Sequence, residues 1–401
     1  MITTPEIITF CSTKEELDMA VSMGADHVIL DHPLLSLCSF IPPKATDSIH
    51  SLNELITYTK TQYPAITISV QCDILAHQKD LALMDTLAKI IQANPVDFIR
   101  VQDLGLLHFF SEKVPVIYYA QMGNSSHVSV EQLKHIASRQ SLSMDIAYTD
   151  ICTIQEKTKT PLEIVVHGHC LIQYSQRRFL TGLAEESADH LNQIHVLAED
   201  DDYPGRRFTF LDNPHGHFMF AYFDRCLLND YEELSACKLT GWIIDTRGQD
   251  KEYQKACIQA YVMLKKNVSE TVFEPVLTTV KTLAPRPLKP GFFRMNQTDK
   301  RRFKKVAHQA HESADIIGQV VDVIAKKRIT ILLKQSLKKG ECFAVIHPKV
   351  GQLQIEVTQC WDSDNNHCDG AEEGDLIQLS WVKGIQQHAL LKRIPKDISS
   401  E

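Results

Sequence analysis

Short apolar and β-branched runs alternate with helical patterns over the first 270 residues of the chain. The eight runs of strand type span residues 7–10, 27–31, 65–72, 97–103, 115–120, 143–148, 163–168 and 241–247. Parallel neighbouring strands need a crossover connection, and a helix is the usual one. Eight such units favour a closed (β/α)8 barrel over an open doubly wound sheet. We therefore predict an α/β fold with a TIM-barrel-like domain at residues 1–284, whose first helix is capped by Ser12 and Glu15.

Two further parts follow from breaks in this pattern. A gap of about 70 residues before the eighth run predicts an insertion at about 169–240, at the barrel end that carries active sites. From residue 327 to 401, strand patterns separated by glycine turns replace the helical ones, which predicts a small all-β barrel. Residues 285–326 hold prolines and a basic run, so we predict a linker there.

The bulk composition is that of a globular protein from a reducing compartment. Apolar residues make up 44% and charged residues 23% of the chain, which is ordinary for such proteins. No apolar run approaches the roughly 18 residues that span a bilayer, and the start lacks a signal-peptide pattern. Eleven cysteines with no C-x-x-C spacing favour free thiols over a disulfide framework. We expect a cytoplasmic protein with no membrane partner.

The net charge of −8 is unevenly distributed. Residues 281–340 hold 15 Lys and Arg against 4 Asp and Glu, whereas the rest holds 27 against 46. Such a basic segment indicates a polyanionic partner such as RNA, or else a linker solvated by lysines. We call its centre the collar: Arg286, Lys289, Arg294, Lys300, Arg301, Arg302, Lys304 and Lys305. Residues 294–305 of the collar are the predicted RNA contacts.

The stretch VVHGHCLIQYSQRR (residues 165–178) is the densest in side chains that could do chemistry. Together with a second His-Gly-His and a later cysteine it could supply zinc ligands, but the spacing matches no zinc motif. That set is His167, His169, Cys170, His215, His217 and Cys226. A Cys170–His167 nucleophile pair is disfavoured, because side chains three apart on a strand tend to point to opposite faces. His215 and His217 lie in a predicted turn.

Polar residues also follow several of the predicted strands. The carboxyl ends of barrel strands converge on one pocket, so these side chains form a candidate site, with loop capping as the alternative for any one of them. The planar fork of Arg247 would suit a carboxylate ligand. The candidates are Asp73, Gln102, Asp103, Gln121, Asp245 and Arg247, to which we add His167.

Four segments, in this order, resemble peptidase family U32. They are residues 101–123, 165–178, 224–248 and 256–261, and the tail resembles the small β-barrel of longer members. The resemblance implies either a collagenase-like peptidase or a protein of oxygen-independent hydroxylation with a cysteine-ligated [4Fe–4S] cluster. Hydroxylation proteins of this kind act on the tRNA wobble uridine, a ribosomal RNA cytidine or the ubiquinone ring, with prephenate implicated as oxygen source. The pocket residues that match are Gln102, Asp103, Gln121, His167, Tyr174, Ser175, Arg177 and Arg247, with Asp245 replacing a glutamate and Asp73 an asparagine.

The cluster ligands that the resemblance implies are mostly missing. Leu171 and Arg178 occupy the first two cysteine positions, and Cys170 is displaced by one residue. The third position falls near residues 198–208, which hold no cysteine, and only Cys226 matches the fourth. Four thiolates normally hold such a cluster, so we expect no cofactor and no metal.

We therefore predict a degenerate or accessory U32 subunit in RNA modification, especially prephenate-dependent tRNA uridine 5-hydroxylation. Its partners would be tRNA or another RNA and a cluster-bearing paralogue. The alternatives are a U32 peptidase and a non-enzymatic RNA-binding or scaffold protein. Whether catalysis survives stays open.

Overall fold

The computed structural model describes residues 4–41, 48–180, 193–199, 206–294, 316–347 and 351–394. It divides the chain into two compact units, residues 1–296 and 297–401. The first unit begins with β1 (Glu6–Cys11), α1 (Lys14–Ser22), β2 (His27–Leu30), α2 (Ile49–Gln62), β3 (Thr67–Gln71), α3 (Leu81–Ala93), β4 (Phe98–Val101), α4 (Leu104–Ser111), β5 (Val116–Tyr119), α5 (His127–Leu133), β6 (Arg139–Ser141), α6 (Tyr148–Lys157) and β7 (Leu162–Ser175). It continues with β8 (Ile194–Glu199), β9 (Arg207–Asn213), β10 (Gly216–Cys226), α7 (Tyr231–Ala236), β11 (Gly241–Asp245), α8 (Lys251–Lys265), α9 (Glu270–Leu283) and β12 (Leu288–Lys289).

Eight parallel strands close into a barrel in the first unit. The strand order is β11, then β1 to β7, and β7 pairs in parallel with β11 to complete the ring. Helices lie between most of the strands, as the sequence pattern predicts. The (β/α)8 prediction is confirmed. No described helix is long and apolar enough to cross a membrane.

The first helix begins one residue later than the capping signature predicts. Thr13, not Ser12, is the N-cap, and its side chain accepts a hydrogen bond from the Glu16 amide. Glu16 in turn accepts from the Ser12 amide at 2.7 Å, so Glu16 rather than Glu15 reaches back. Thr13 and Glu16 keep the spacing of three residues that such caps need.

The sixth strand is not the run at residues 143–148 but Arg139–Ser141. All three residues of β6 are polar and buried. Two of the side chains find partners in the fold: Arg139 pairs with Glu6 at 2.7 Å, and the Gln140 side-chain amide donates to the Val130 carbonyl, ten residues before it, at 2.8 Å. Because tertiary polar contacts rather than apolar side chains satisfy this strand, no apolar run marks it in the sequence.

The insertion extends the seventh strand into an antiparallel sheet. β7 continues past the barrel to Ser175, where β10 pairs with it, followed by β9 and β8. The turn between β9 and β10 is residues 214–215, so His215 lies in it as predicted, whereas His217 belongs to β10, which begins at Gly216 with φ +139°. The insertion therefore stands at the carboxyl end of the barrel.

The second unit is all-β. It contains β13 (Ile316–Ile324), β14 (Arg328–Leu333), β15 (Leu337–Lys338), β16 (Cys342–His347), β17 (Gly351–Glu356), β18 (Cys360–Trp361), β19 (His367–Cys368), β20 (Gly370–Ala371), β21 (Leu376–Ser380) and β22 (Leu390–Arg393). Eight strands form a curled antiparallel sheet in the order β17, β16, β22, β13, β14, β21, β18 and β19. It encloses its own core, which includes Ile317, Val320, Ile331, Phe343 and Leu391.

The predicted linker, residues 285–326, is not one segment in the structure. Its start belongs to the first unit, because β12 pairs with β10 and Phe293 is fully buried. Its end belongs to the second unit, because β13 lies between β14 and β22. The strand β13 therefore begins inside the predicted linker, at Ile316.

The barrel interior combines a small apolar layer with buried ions. The inward apolar side chains include Ile8, Phe10, Ile29, Val165 and Ile243. The larger core lies between the strands and the surrounding helices. Side chains at the carboxyl ends of the strands lie above the interior layer, and the candidate site is there.

Candidate functional site

Asp245 and Arg247 form a buried ion pair just beyond β11. The Arg247 guanidinium donates from Nε to Asp245 Oδ1 at 2.8 Å and from Nη2 to Oδ2 at 2.7 Å. Its Nη1 donates to Ser36 Oγ at 3.0 Å and lies 3.4 Å from Asp31 Oδ1. Burial raises the pKa of Asp245, but the Arg247 charge outweighs it and holds that pKa below its usual value. The Arg247 guanidinium, which we predicted would suit a carboxylate ligand, is therefore already paired with carboxylates of the protein itself.

Asp73 and Gln121 lie at the same end of the barrel. Asp73 is fully buried; its Oδ1 accepts from the Leu37 amide at 2.8 Å, and its Oδ2 is 3.5 Å from Gln121 Nε2. Gln102 donates to the Asp73 backbone carbonyl. Burial raises the pKa of Asp73. The structure therefore brings Asp73, Gln102 and Gln121 together.

The segment after β2 fills the barrel mouth. Leu37 contacts Asp73 through its amide, and its carbonyl accepts from Asn213 of the insertion at 2.9 Å. The Phe40 ring stacks on His169, with ring centres 4.4 Å apart. The cavity left beside Phe40 and Arg247 measures about 30 Å³, about the volume of one water molecule. Among the described residues, this cavity is too small for a peptide or a nucleotide.

His167 does not join this cluster. It is buried on the other side of the barrel wall against α8, where its Nε2 lies 2.8 Å from the Tyr253 hydroxyl and 3.3 Å from Cys257 Sγ. The register between β7 and β11 shifts after Val165, which pairs with Ile243, whereas His167 pairs with Ile244. That extra residue changes the face to which His167 points. The prediction that His167 shares a pocket with Gln121, Asp245 and Arg247 is wrong.

The Cys257–His167 contact does not have the properties of a nucleophile pair. Both side chains are fully buried. Burial lowers the pKa of His167 to about 3 and raises that of the Cys257 thiol well above its usual value. A catalytic thiol needs the opposite shifts and access to its substrate. Both groups are neutral and inaccessible.

Asp103 has a structural partner. Its carboxylate is the N-cap of α4 and accepts from the Leu106 amide at 2.9 Å. Capping of this kind satisfies one of the free amides of the first helical turn. The loop-capping alternative therefore describes Asp103.

A group that the sequence pattern misses adjoins the mouth. His169 Nε2 lies 3.1 Å from the Arg247 carbonyl, and its Nδ1 is 2.9 Å from an Arg286 nitrogen. Arg286 Nε is 3.2 Å from Asp224 Oδ1. Burial raises the pKa of Asp224 to about 6 and lowers that of His169 to about 3. These residues come from β7, β10 and the segment after α9, so no local spacing joins them into a group. Asp31, the last residue of the run at 27–31, carried the signal of a polar strand end.

Cys170 and Cys226, the two thiols nearest to the implied cluster positions, do not suit a [4Fe–4S] cluster. No cysteine occurs between Cys170 and Cys226 in the sequence, and such a cluster normally needs four thiolates. Burial raises the pKa of Cys170 to about 12 and that of Cys226 to about 11, so both are protonated thiols. Leu171 packs at the apolar contact of the insertion with Phe218 and Phe220. The residues present do not fit the cluster.

The zinc candidates do not converge either. His215 Nε2 is 3.1 Å from the Pro33 carbonyl, and His217 Nδ1 is 2.5 Å from Asp212 Oδ1. Within the described ranges, no group of three His, Cys, Asp or Glu side chains is placed to hold a metal ion. Each histidine has a protein partner instead.

The collar is described only in part. Arg294 forms an ion pair with Asp230 and lies 3.8 Å from Glu233, and Lys289 Nζ is 2.6 Å from the Tyr222 hydroxyl. Arg286 pairs with Asp224, as above. The remaining predicted RNA contacts lie outside the described residues: Lys300, Arg301, Arg302, Lys304 and Lys305.

Comparison with known proteins gives a family match and similar solved structures. A family model for peptidase family U32 matches residues 12–302. The solved U32 peptidase Mk0906 is 13% identical, with 62% of this chain and 94% of that chain covered and a TM-score of 0.39. The C-terminal domain of a Geobacillus thermoleovorans protein assigned to the U32 peptidases is 13% identical, with coverage of 20% and 92% and a TM-score of 0.19. No curated protein matches the chain.

Proposed function

Because the chain belongs to peptidase family U32, we propose that it is a non-redox, RNA-binding member that serves an RNA-modification system as an accessory subunit. The reaction is prephenate-dependent 5-hydroxylation of the tRNA wobble uridine, and a cluster-bearing paralogue in the cytoplasm is the partner. The observation that carries this function is the pair of buried, protonated thiols, Cys170 and Cys226, in place of four thiolate ligands.

The charge distribution supports the RNA part of the function. Residues 281–340 hold 15 basic against 4 acidic residues in a chain of net charge −8. Neutralising backbone phosphates is the main source of affinity for nucleic acids. A peptidase has less support, since the Cys257–His167 pair is buried and neutral and the described cavity beside Phe40 and Arg247 measures only about 30 Å³.

A strain that lacks the protein is expected to lose most of the wobble-uridine 5-hydroxylation in its tRNA. The physical reason is that an accessory subunit delivers or holds the RNA for a partner that carries out the oxidation. Mass spectrometry of tRNA nucleosides from the deletion strain and from a strain complemented with the gene measures this. Unchanged 5-hydroxyuridine derivatives would refute the assigned reaction. Anaerobic reconstitution that gives about four irons per chain would refute its non-redox character.

Replacing Arg301, Arg302, Lys304 and Lys305 by alanine is expected to weaken tRNA binding by about tenfold or more and to flatten its salt dependence. Each neutralised phosphate releases counterions, so fewer contacts give a shallower slope of affinity against salt. Filter binding with tRNA at two salt concentrations measures both. The control is Lys79, Lys89, Lys113 and Lys134→Ala, which removes equal charge from the barrel unit. Equal affinities for the two quadruple variants would mean that the collar only solvates the chain.

A further inference from the structure

A second cavity among the described residues of the barrel unit lies beside the end of α9. Its volume is about 490 Å³, which is within the usual range for sites that bind small molecules. The end of α9 and the segment after it form one wall, and the turn after β10 forms another. Its lining includes one cysteine and four basic residues: Cys226, Lys281, Arg286, Lys289 and Arg294. We call this cavity the basic groove.

Four cations line the basic groove, and two of them have no carboxylate partner. Arg286 pairs with Asp224 and Arg294 with Asp230. Lys281 is exposed, and Lys289 contacts the neutral Tyr222 hydroxyl and the Tyr222 and Phe223 rings; neither makes an ion pair with any residue that the structure describes. The groove therefore has an excess of positive charge that its own carboxylates do not neutralise.

The wall that carries these cations is held in place. β12 pairs with β10, and the Asp224 amide donates to the Pro287 carbonyl at 2.9 Å. Beyond it, the Phe293 carbonyl accepts from the Tyr148 amide at 2.7 Å, and the Phe293 side chain is fully buried. Cations on a fixed backbone lose less entropy when they bind an anion than cations on a mobile one.

We propose that the basic groove binds a phosphate ester, with Lys281 and Lys289 as its direct contacts, and that this is where a nucleotide of the RNA is held. An ammonium group binds phosphate as a point charge, and the leucine and proline side chains around it offer apolar surface to the sugar. Cys226 lines the groove as a neutral thiol, because burial raises its pKa to about 11, so no covalent step is involved. That the bound phosphate belongs to RNA rests on the proposed function, whereas the phosphate site itself does not.

The test compares Lys281→Gln/Lys289→Gln with Lys89→Gln/Lys134→Gln, which removes the same charge from exposed positions on α3 and after α5. The probes are uridine 5′-monophosphate and a single-stranded oligouridylate, titrated by calorimetry and filter binding. We expect the groove variant to bind both probes about tenfold more weakly and the control variant to bind them as the wild type does. The melting temperature of each variant reports folding, and Lys281→Arg/Lys289→Arg is expected to retain binding.

Each outcome separates the two claims. Wild-type protein that binds the oligonucleotide, with an unaltered groove variant, would overturn the groove assignment and leave the proposed function. Wild-type protein that binds the monophosphate through the groove but not the oligonucleotide would uphold the phosphate site and refute the RNA function. Absence of binding to both probes would overturn both.

Discussion

Replacing Arg100 by methionine is expected to lower the free energy of unfolding of the barrel unit by about 3–5 kcal/mol. Arg100 and Glu163 are both fully buried inside the barrel, where the Arg100 guanidinium makes a two-point contact with the carboxylate, one arm of it at 3.0 Å. Arg100 Nε also donates to Ser69 Oγ at 3.0 Å. Removing Arg100 leaves a buried carboxylate with only Arg139, at 3.6 Å, to balance it.

Denaturant unfolding measures this effect if the signal comes from one unit. Trp242 is buried in β11, so its fluorescence reports the barrel when Trp361 and Trp381 are replaced by phenylalanine. This background is needed because a chain with two units need not unfold in one step.

Two control variants test whether the loss of stability comes from the burial of the ion pair. Arg207→Met removes an ion pair whose side chains are 72% and 39% exposed, and we expect a loss below about 1 kcal/mol. Arg100→Met/Glu163→Leu is expected to cost less than Arg100→Met alone, because no buried charge is then left unpaired. A loss for Arg100→Met no greater than that for Arg207→Met would contradict the expectation.

The barrel could be predicted from the sequence because most of its strands are apolar runs of the right length. The exception, β6, shows the limit of that signal. Arg139, Gln140 and Ser141 form a strand only because Glu6, Glu163 and the Val130 carbonyl meet their polar groups in the folded barrel. Glu6 lies 133 residues before Arg139, so no window of residues around β6 contains that partner.

The candidate site could also be predicted only in part from the sequence. The rule that strand ends converge places Asp73, Gln121, Asp245 and Arg247 at the barrel mouth, where the structure has them. It fails for His167 because the irregular pairing after Val165 turns the side chain towards α8. It also cannot anticipate that residues near Leu37 fill the mouth, since that packing depends on the insertion.

Replacing Gly168 by alanine is expected to cost the barrel unit about 4 kcal/mol or more. Gly168 has φ +129°, and a Cβ there would lie 2.0 Å from the Asp245 carbonyl oxygen. Gly168 and Asp245 face each other where β7 meets β11 and the barrel closes, so relief would require the strands to separate.

The matched control is Gly123→Ala, which has a similar φ of +99° but no atom within 4 Å of the added methyl group. It should cost only about 1–2 kcal/mol, the strain of a side chain at positive φ. The same fluorescence assay on Trp242 measures both variants. Equal losses would mean that backbone strain alone explains the glycine, whereas a larger loss for Gly168→Ala assigns it to closure of the barrel. In the second case the glycine of the His-Gly-His-Cys stretch has a structural role that persists without a metal centre or a nucleophile beside it.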